Sequence, residues 1–185
     1  CMGLSLKNVA IKVFDTKKKK DIYDDFGEML FTHFGVSGPM ILSASAHMRN
    51  MEKGRYEIYI DLKPALSHEK LDARILRDFA DNSNKSISNV LALLLPKSLI
   101  SPVLKISGIK QSEKINQITK EMRKMLVDTI KSIKLTVIDF NDISEAIVTA
   151  GGVKVSEINP KTMESKICKG LYFAGEVIDC DGYTG

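Results

Sequence analysis

Cysteine is scarce in this chain. Cys1, Cys168 and Cys180 are the whole set, an odd number with no Cys-x-x-Cys pair. That argues against a disulfide framework or a zinc site and for a reducing cytoplasm. Cys180 reads as a small residue in a tight loop, since no resolving thiol lies near it in sequence. No apolar run approaches the roughly 20 residues that a membrane span needs. The first residues move straight into an alternating pattern, with no secretory leader in view. The stretch from 63 to 131 holds no paired carboxylates, histidine pair or nucleophile elbow, and no metal site is expected. Charge of one sign is also modest. Against 23 carboxylates stand 27 lysines and arginines, a formal net charge of +4, which reads as solubility rather than as a nucleic-acid surface.

What is present suits a globular protein. The 185 residues are 44% hydrophobic and 27% charged, enough to bury a proper core. Leu4, Leu6, Val9, Ile11 and Val13 predict a strand whose phase changes at Lys7 and Asn8, as at a bulge. Four lysines, 17 to 20, separate it from a second strand pattern ending in Met29–Phe31, so the pair predicts a β-hairpin with a charged tip. Exposed lysines at such a tip discourage edge pairing. Pro39 suits the first turn of a helix reaching about Met48, with Ser37 or Gly38 near its N-cap. Between them lies His33, a candidate proton donor or hydrogen-bond partner to a bound ring.

The period changes in the middle. Tyr56, Ile58, Ile60 and Leu62 alternate against polar neighbours as a half-buried strand. Ser67 is placed to cap a helix carrying Leu71, Ile75, Leu76 and Phe79 on one face. Further helices are predicted over Ile87–Leu95, stopped by Pro96, and Leu99–Ile106, ended by Gly108. The longest is expected from about Ser112 to Lys131, on the spacing of Ile115, Ile118, Met122, Met125, Leu126 and Ile130. Four helices with short connections predict a small bundle inserted between strands. The methionines at helical spacing read as core. Lys134–Phe140 then predicts a return to the sheet, and Val153–Val155 another strand.

The C-terminal stretch carries the chemistry. Leu171, Tyr172 and Phe173 predict a buried strand running into Ala174 and Gly175, then the acidic cluster Glu176, Asp179 and Asp181, then Gly182 to Gly185. Small residues after a strand let backbone approach a ligand, and a carboxylate can accept hydrogen bonds from sugar or ribityl hydroxyls. Earlier, Gly151 and Gly152 follow an apolar run and permit positive φ. The wording Tyr-Phe-Ala-Gly-Glu-Val-Ile-Asp-x-Asp-Gly-x-Thr-Gly resembles the flavin-contacting segment of the HI0933-like, or BaiN-like, family of flavoproteins. Gly27-Glu-Met-Leu-Phe-Thr-His-Phe-Gly-Val-Ser-Gly-Pro39 and Thr149-Ala-Gly-Gly-Val-Lys-Val-Ser-Glu-Ile-Asn-Pro-Lys-Thr-Met-Glu164 resemble the same family in the same order.

The resemblance implies an α+β fold: a β-barrel-like antiparallel sheet domain with an inserted small helical bundle, plus a fragment of a dinucleotide-binding α/β domain. The expected division is 1–62 with 132–150 for the barrel-like part, 63–131 for the bundle, and 151–185 for a partial FAD-binding return. The positions matching the family's flavin side are Thr149, Gly151, Gly152, Gly175, Glu176, Asp179, Gly182, Thr184 and Gly185. The implied activity is that of an FAD-dependent, NAD(P)H-linked oxidoreductase acting on an unidentified small molecule, with the insert shaping the cleft. Because the chain has no Gly-x-Gly-x-x-Gly, it is expected to be inactive alone and to be part of an active parent. The alternative is a non-catalytic module contacting RNA or a protein through its basic surface.

Overall fold

In a computed structural model, which describes residues 1–146 and 151–180, the sheet is built on the alternation of the first strand. Strand β1 (Leu4–Asp15) buries Leu6, Val9, Ile11, Val13 and Asp15 and turns the residues between them outward. It pairs antiparallel with β2 (Lys20–Phe31). Leu6 faces Met29 and Val9 faces Gly27, so β1 spends one extra residue there, and the bulge expected at Lys7 and Asn8 is present. On its other side β1 pairs antiparallel with β4 (Tyr56–Asp61). A two-residue strand β3 (Val36–Ser37) and β5 (Ile133–Thr136) complete the order β3-β2-β1-β4-β5. The result is a curled antiparallel half-barrel with helices against it, a mixed α and β fold.

Register is fixed at the end of the hairpin. The Asp15 carboxylate is fully buried. It accepts from the Arg55 guanidinium, 2.9 Å at the nearest nitrogen, and from the Lys17 and Lys18 amides at 2.9 and 3.1 Å. Arg55 also lies over the Tyr56 ring, 5.1 Å from its centre, and donates to the Asn50 carbonyl at 3.0 Å. Those bonds hold the Asp15 carboxyl well below its ordinary value of 3.8, at about 2, the Arg55 hydrogen bond contributing most.

Helix α1 (Pro39–His47) packs on β2. Gly38 precedes it at φ 96°, and a Cβ there would meet the Met29 Cα at 3.1 Å. Only glycine tolerates both the conformation and the approach. The Met40 side chain likewise lies 3.4 Å from where a Gly27 Cβ would be. Gly38, with Gly27 beside Met40, therefore forms a packing corner, whereas Gly35 lies in an open turn.

Four helices lie between β4 and β5. Helix α2 (His68–Ala80) is capped by Ser67, whose hydroxyl accepts from the Lys70 amide at 3.3 Å. It buries Leu71, Ile75 and Phe79. Helix α3 (Ile87–Leu91) is shorter than the spacing predicts, giving way to a turn after Leu91. Helix α4 (Lys97–Ile106) contains Pro102. Proline cannot donate to the carbonyl four residues back, and the Cys1 thiol takes that Ser98 carbonyl instead at 3.2 Å. Past Ser107, Gly108 at φ 69° reverses the chain, and the Ile109 amide reaches the Leu104 carbonyl at 2.9 Å, a glycine-terminated end with a buried apolar residue just beyond it.

The expected long helix from 112 to 131 divides in two. Ile115–Gln117 is a short 3₁₀ turn, and α5 (Lys120–Lys131) starts only at Thr119, whose hydroxyl accepts from the Met122 amide at 3.2 Å. That cap restarts the helix and takes Ile115 out of phase with it. Leu126 and Ile130 of α5 are fully buried in the same core as Ile58 and Ile60 of β4 and Leu71 and Ile75 of α2. Asp72 and Arg123 join α2 to α5 at 2.6 Å. Past Thr136 the expected strand to Phe140 ends early in irregular backbone.

Asp15 is ionised when folded and protonates more readily when unfolded, so its contribution is present above about pH 4 and lost as pH falls towards 2. Urea midpoints measured from pH 5 to 2 should fall for the native chain. Asp15→Asn should start lower at pH 5 and fall less across that window. Thr119→Ala should cost about 1 kcal/mol in the same assay.

Candidate functional site

Residues 151–180 are held by their own bonds. A short strand β6 (Val153–Lys154) pairs parallel with β7 (Ile178–Asp179), Val153 opposite Ile178 and Lys154 opposite Asp179. Between them the chain makes two 3₁₀ turns and two isolated bridges, Ile158 with Ser165 and Glu164 with Tyr172. The Asn159 amide donates to the Glu164 carbonyl at 2.8 Å, and Phe173 to Met163 at 3.0 Å. Glu164 also uses its carboxylate to accept from the Gly170 amide at 2.7 Å. Among the described residues, every hydrogen bond made by 151–180 closes within that segment.

The parallel pair brings two distant sequence segments together. Gly151 and Gly152 adopt φ 110° and 138°. A Cβ on Gly152 would collide with the Val177 carbonyl and sit 3.1 Å from the Asp179 amide. Glycine at 152 is thus required by the crossing itself. Gly175 also has positive φ, 77°, but with open space around it. Glu176 and Asp179 flank this crossing. Both are exposed, and neither accepts a hydrogen bond or closes an ion pair among the described residues. Their oxygens are free to accept from a ligand.

Five of the nine sequence-derived positions, Gly151, Gly152, Gly175, Glu176 and Asp179, therefore gather around one short parallel pair. Thr149, Gly182, Thr184 and Gly185 lie outside the described residues. Leu171–Phe173 differ from the expected buried strand. Leu171 and Tyr172 are exposed, and the segment makes a single bridge. Among the described residues no strand of the sheet flanks it, and only Phe173 is half-buried.

His33 is elsewhere. It sits exposed in the turn that Thr32 and Gly35 close, with its ring edge-on to Phe34 at 4.9 Å. No hydrogen bond or ring contact joins it to the glycine segment among the described residues. The three cysteines are exposed and unpaired. Among the described residues no cluster of three His, Cys, Asp or Glu could hold a metal ion, and no helix is long and apolar enough to cross a membrane. One shallow groove, lined by Lys7, Asn8, Leu62, Lys63, Leu95 and Pro96 among others, separates the β1 bulge from the start of α4. Burial lowers the Lys63 ammonium's pKa there, with Arg74 adding to the effect. The bulge was readable from the sequence, but the helix corner facing it was not.

A curled antiparallel half-barrel with helices inserted between β4 and β5 is the architecture of a barrel-and-helix domain. The chain belongs to the family described as HI0933-like protein barrel and H2TH domain, which it matches over residues 1–148. It is 36% identical over 160 residues to a ribosomal RNA dihydrouridine synthase of Haemophilus influenzae, covering 86% of this chain and 38% of that protein. It is 30% identical over 167 residues to a 3-dehydro-bile acid delta(4,6)-reductase of Clostridium scindens, covering 88% and 40%. A ribosomal RNA dihydrouridine synthase of Escherichia coli is 29% identical over 180 residues, covering 97% and 42%. The chain spans about two-fifths of the length of these relatives.

Gly152→Val should break the β6–β7 crossing while leaving the half-barrel folded. Hydrogen exchange should show lost protection at Val153 and Asp179 with unchanged protection in β1 and β4. Loss in both regions would show that the glycine crossing supports the barrel.

Proposed function

We propose that this chain is the insert-and-return portion of an FAD-dependent, NAD(P)H-linked oxidoreductase of the cytoplasm. The observation that supports the reading is the parallel pairing of Val153–Lys154 with Ile178–Asp179, which crosses Gly152 against Val177 in the same short segment as the unpartnered carboxylates of Glu176 and Asp179. Cofactors in parallel α/β sheets bind beyond the carboxyl ends of strands, where small residues permit close backbone approach. Gly151, Gly152 and Gly175 would line that approach, and Glu176 or Asp179 would accept a ribityl or ribose hydroxyl. The exposed apolar residues of the same segment, Val155, Leu171, Tyr172 and Val177, would be covered by the rest of a dinucleotide-binding domain.

The relatives' names support one reaction class for this reading. A dihydrouridine synthase and a delta(4,6)-reductase both imply addition of two hydrogens across a carbon–carbon double bond. FAD, when bound, would supply the hydride. The protein's share is to hold the acceptor, exclude water and deliver the proton. His33 is our candidate for that proton, and the helical insert would shape the entrance.

The complete protein should show a flavin spectrum. Glu176→Ala or Asp179→Ala should weaken flavin retention at least several-fold, with the circular dichroism unchanged. Unaltered flavin content in both variants would remove these carboxylates from the site.

A further inference from the structure

The groove between the β1 bulge and the start of α4 is lined by a half-buried cation, Lys63. Its backbone is clamped at both polar groups. The Lys63 amide donates to the Asp61 carboxylate at 2.8 Å, and the Lys131 ammonium donates to the Lys63 carbonyl at 3.1 Å. The Lys63 side chain, by contrast, closes no hydrogen bond or ion pair among the described residues. Withdrawal from water holds its pKa below the ordinary value, and the Arg74 charge adds to the effect. A charge taken out of water is normally met by a counter-charge or an acceptor. Here the described residues supply neither.

The nearby carboxylates are committed elsewhere. Asp61 pairs with Lys131 at 2.5 Å, Asp78 with Arg74 at 2.9 Å, and Glu28 accepts from the Ser5 hydroxyl at 2.6 Å. Two lining residues ionise, and both are lysines, Lys63 and Lys7. Lys7 and Asn8 are the bulge residues, paired across to neither β2 nor β4. Their side chains are exposed and make no hydrogen bond among the described residues. The other walls are mostly aliphatic: Val9, Leu62, Leu95, Pro96 and Leu99, with no aromatic ring to stack a planar ligand. The groove encloses about 230 Å³, less than the roughly 300 Å³ at which pockets for drug-sized ligands begin. That room suits one acid group on a short carbon chain.

We propose that this groove binds a small aliphatic carboxylate, its acid group meeting Lys63 and Asn8 and its chain lying along Leu62, Leu95 and Leu99. An anion there offsets the cost of burying the ammonium, so occupancy raises the Lys63 pKa towards its ordinary value. Lys7 at the rim adds attraction from the solvent side. The site needs no flavin, and its failure leaves the reading of the glycine crossing untouched.

The test titrates hexanoate into the 185-residue chain and follows backbone amides and lysine side chains by NMR. Shifts should gather at Lys7, Asn8, Leu62 and Lys63 and saturate with a Kd of roughly 1 mM, as expected for so small a ligand. The Lys63 pKa should be higher at saturation than in the free chain. Lys63→Gln should weaken binding about tenfold or more, since a charge-assisted contact is lost, whereas Lys63→Arg should largely retain it. Lys53→Gln, the same charge change in the exposed turn before β4, should leave affinity unaltered. Hexanol, which keeps the chain without the charge, should bind about tenfold more weakly or worse. Absence of saturable shifts at the groove overturns the proposal, as does undiminished binding to Lys63→Gln or equal binding of hexanol. Inorganic phosphate binding more tightly than hexanoate also overturns it, since the aliphatic walls would then contribute nothing. If Lys63→Gln fails to fold by circular dichroism, the native chain decides: a Lys63 pKa unmoved by saturating hexanoate overturns the assignment.

Discussion

The buried ion pair between Asp15 and Arg55 sets the geometry on which the other parts depend. Asp15 ends β1, faces Lys20 across the hairpin and Tyr56 across the other edge, so three strands meet at one carboxylate. A strand shifted by one residue would turn its buried side chains to the opposite face. A carboxylate out of water is tolerated only with its partners in place, and here one guanidinium and two amides supply them. Slipping the register would strand that charge as well as expose Val13 and Ile11. The pair therefore selects one register, whatever its net contribution to stability.

From that fixed register the rest of the barrel-like part follows. Ile58 and Ile60 must face the helices, and they do so against Leu126 and Ile130. The helices in turn owe their positions to caps and cross-links at their ends: Ser67, Thr119, and the Asp72–Arg123 bridge. A short insert cannot rely on helix propensity alone, since isolated helices of this length are marginal in water. Its stability comes from the apolar faces it buries on the sheet.

Local signals were legible and long-range ones were not. The bulge at Lys7 and Asn8, the hairpin, Pro39 at the start of α1 and the Ser67 cap all act within a few residues, and each was readable. The helix start at Thr119 was not legible, because Ile115 and Ile118 fall near helical phase with Met122 and extend the apparent helix back to about Ser112. A polar cap outranks such a coincidence, because it satisfies amides that a helix end leaves open. Gly27 and Gly38 stood out as small residues, but that they make room for Met40 and for the β2 backbone depends on partners far along the chain. The same holds for Gly152 and Val177, which lie 25 positions apart in sequence and touch only once β6 and β7 pair. Glycine marked these places without revealing what approached them.

The glycine crossing lies in a segment whose described hydrogen bonds all close within it, whereas the helical insert is anchored between β4 and β5. The β6–β7 pair therefore owes its geometry to Gly152 and to its own backbone bonds, and not to the register that Asp15 selects. A Cβ at 152 disturbs the crossing alone, and loss of the Asp15 carboxylate disturbs the sheet alone, because no described hydrogen bond joins the two parts.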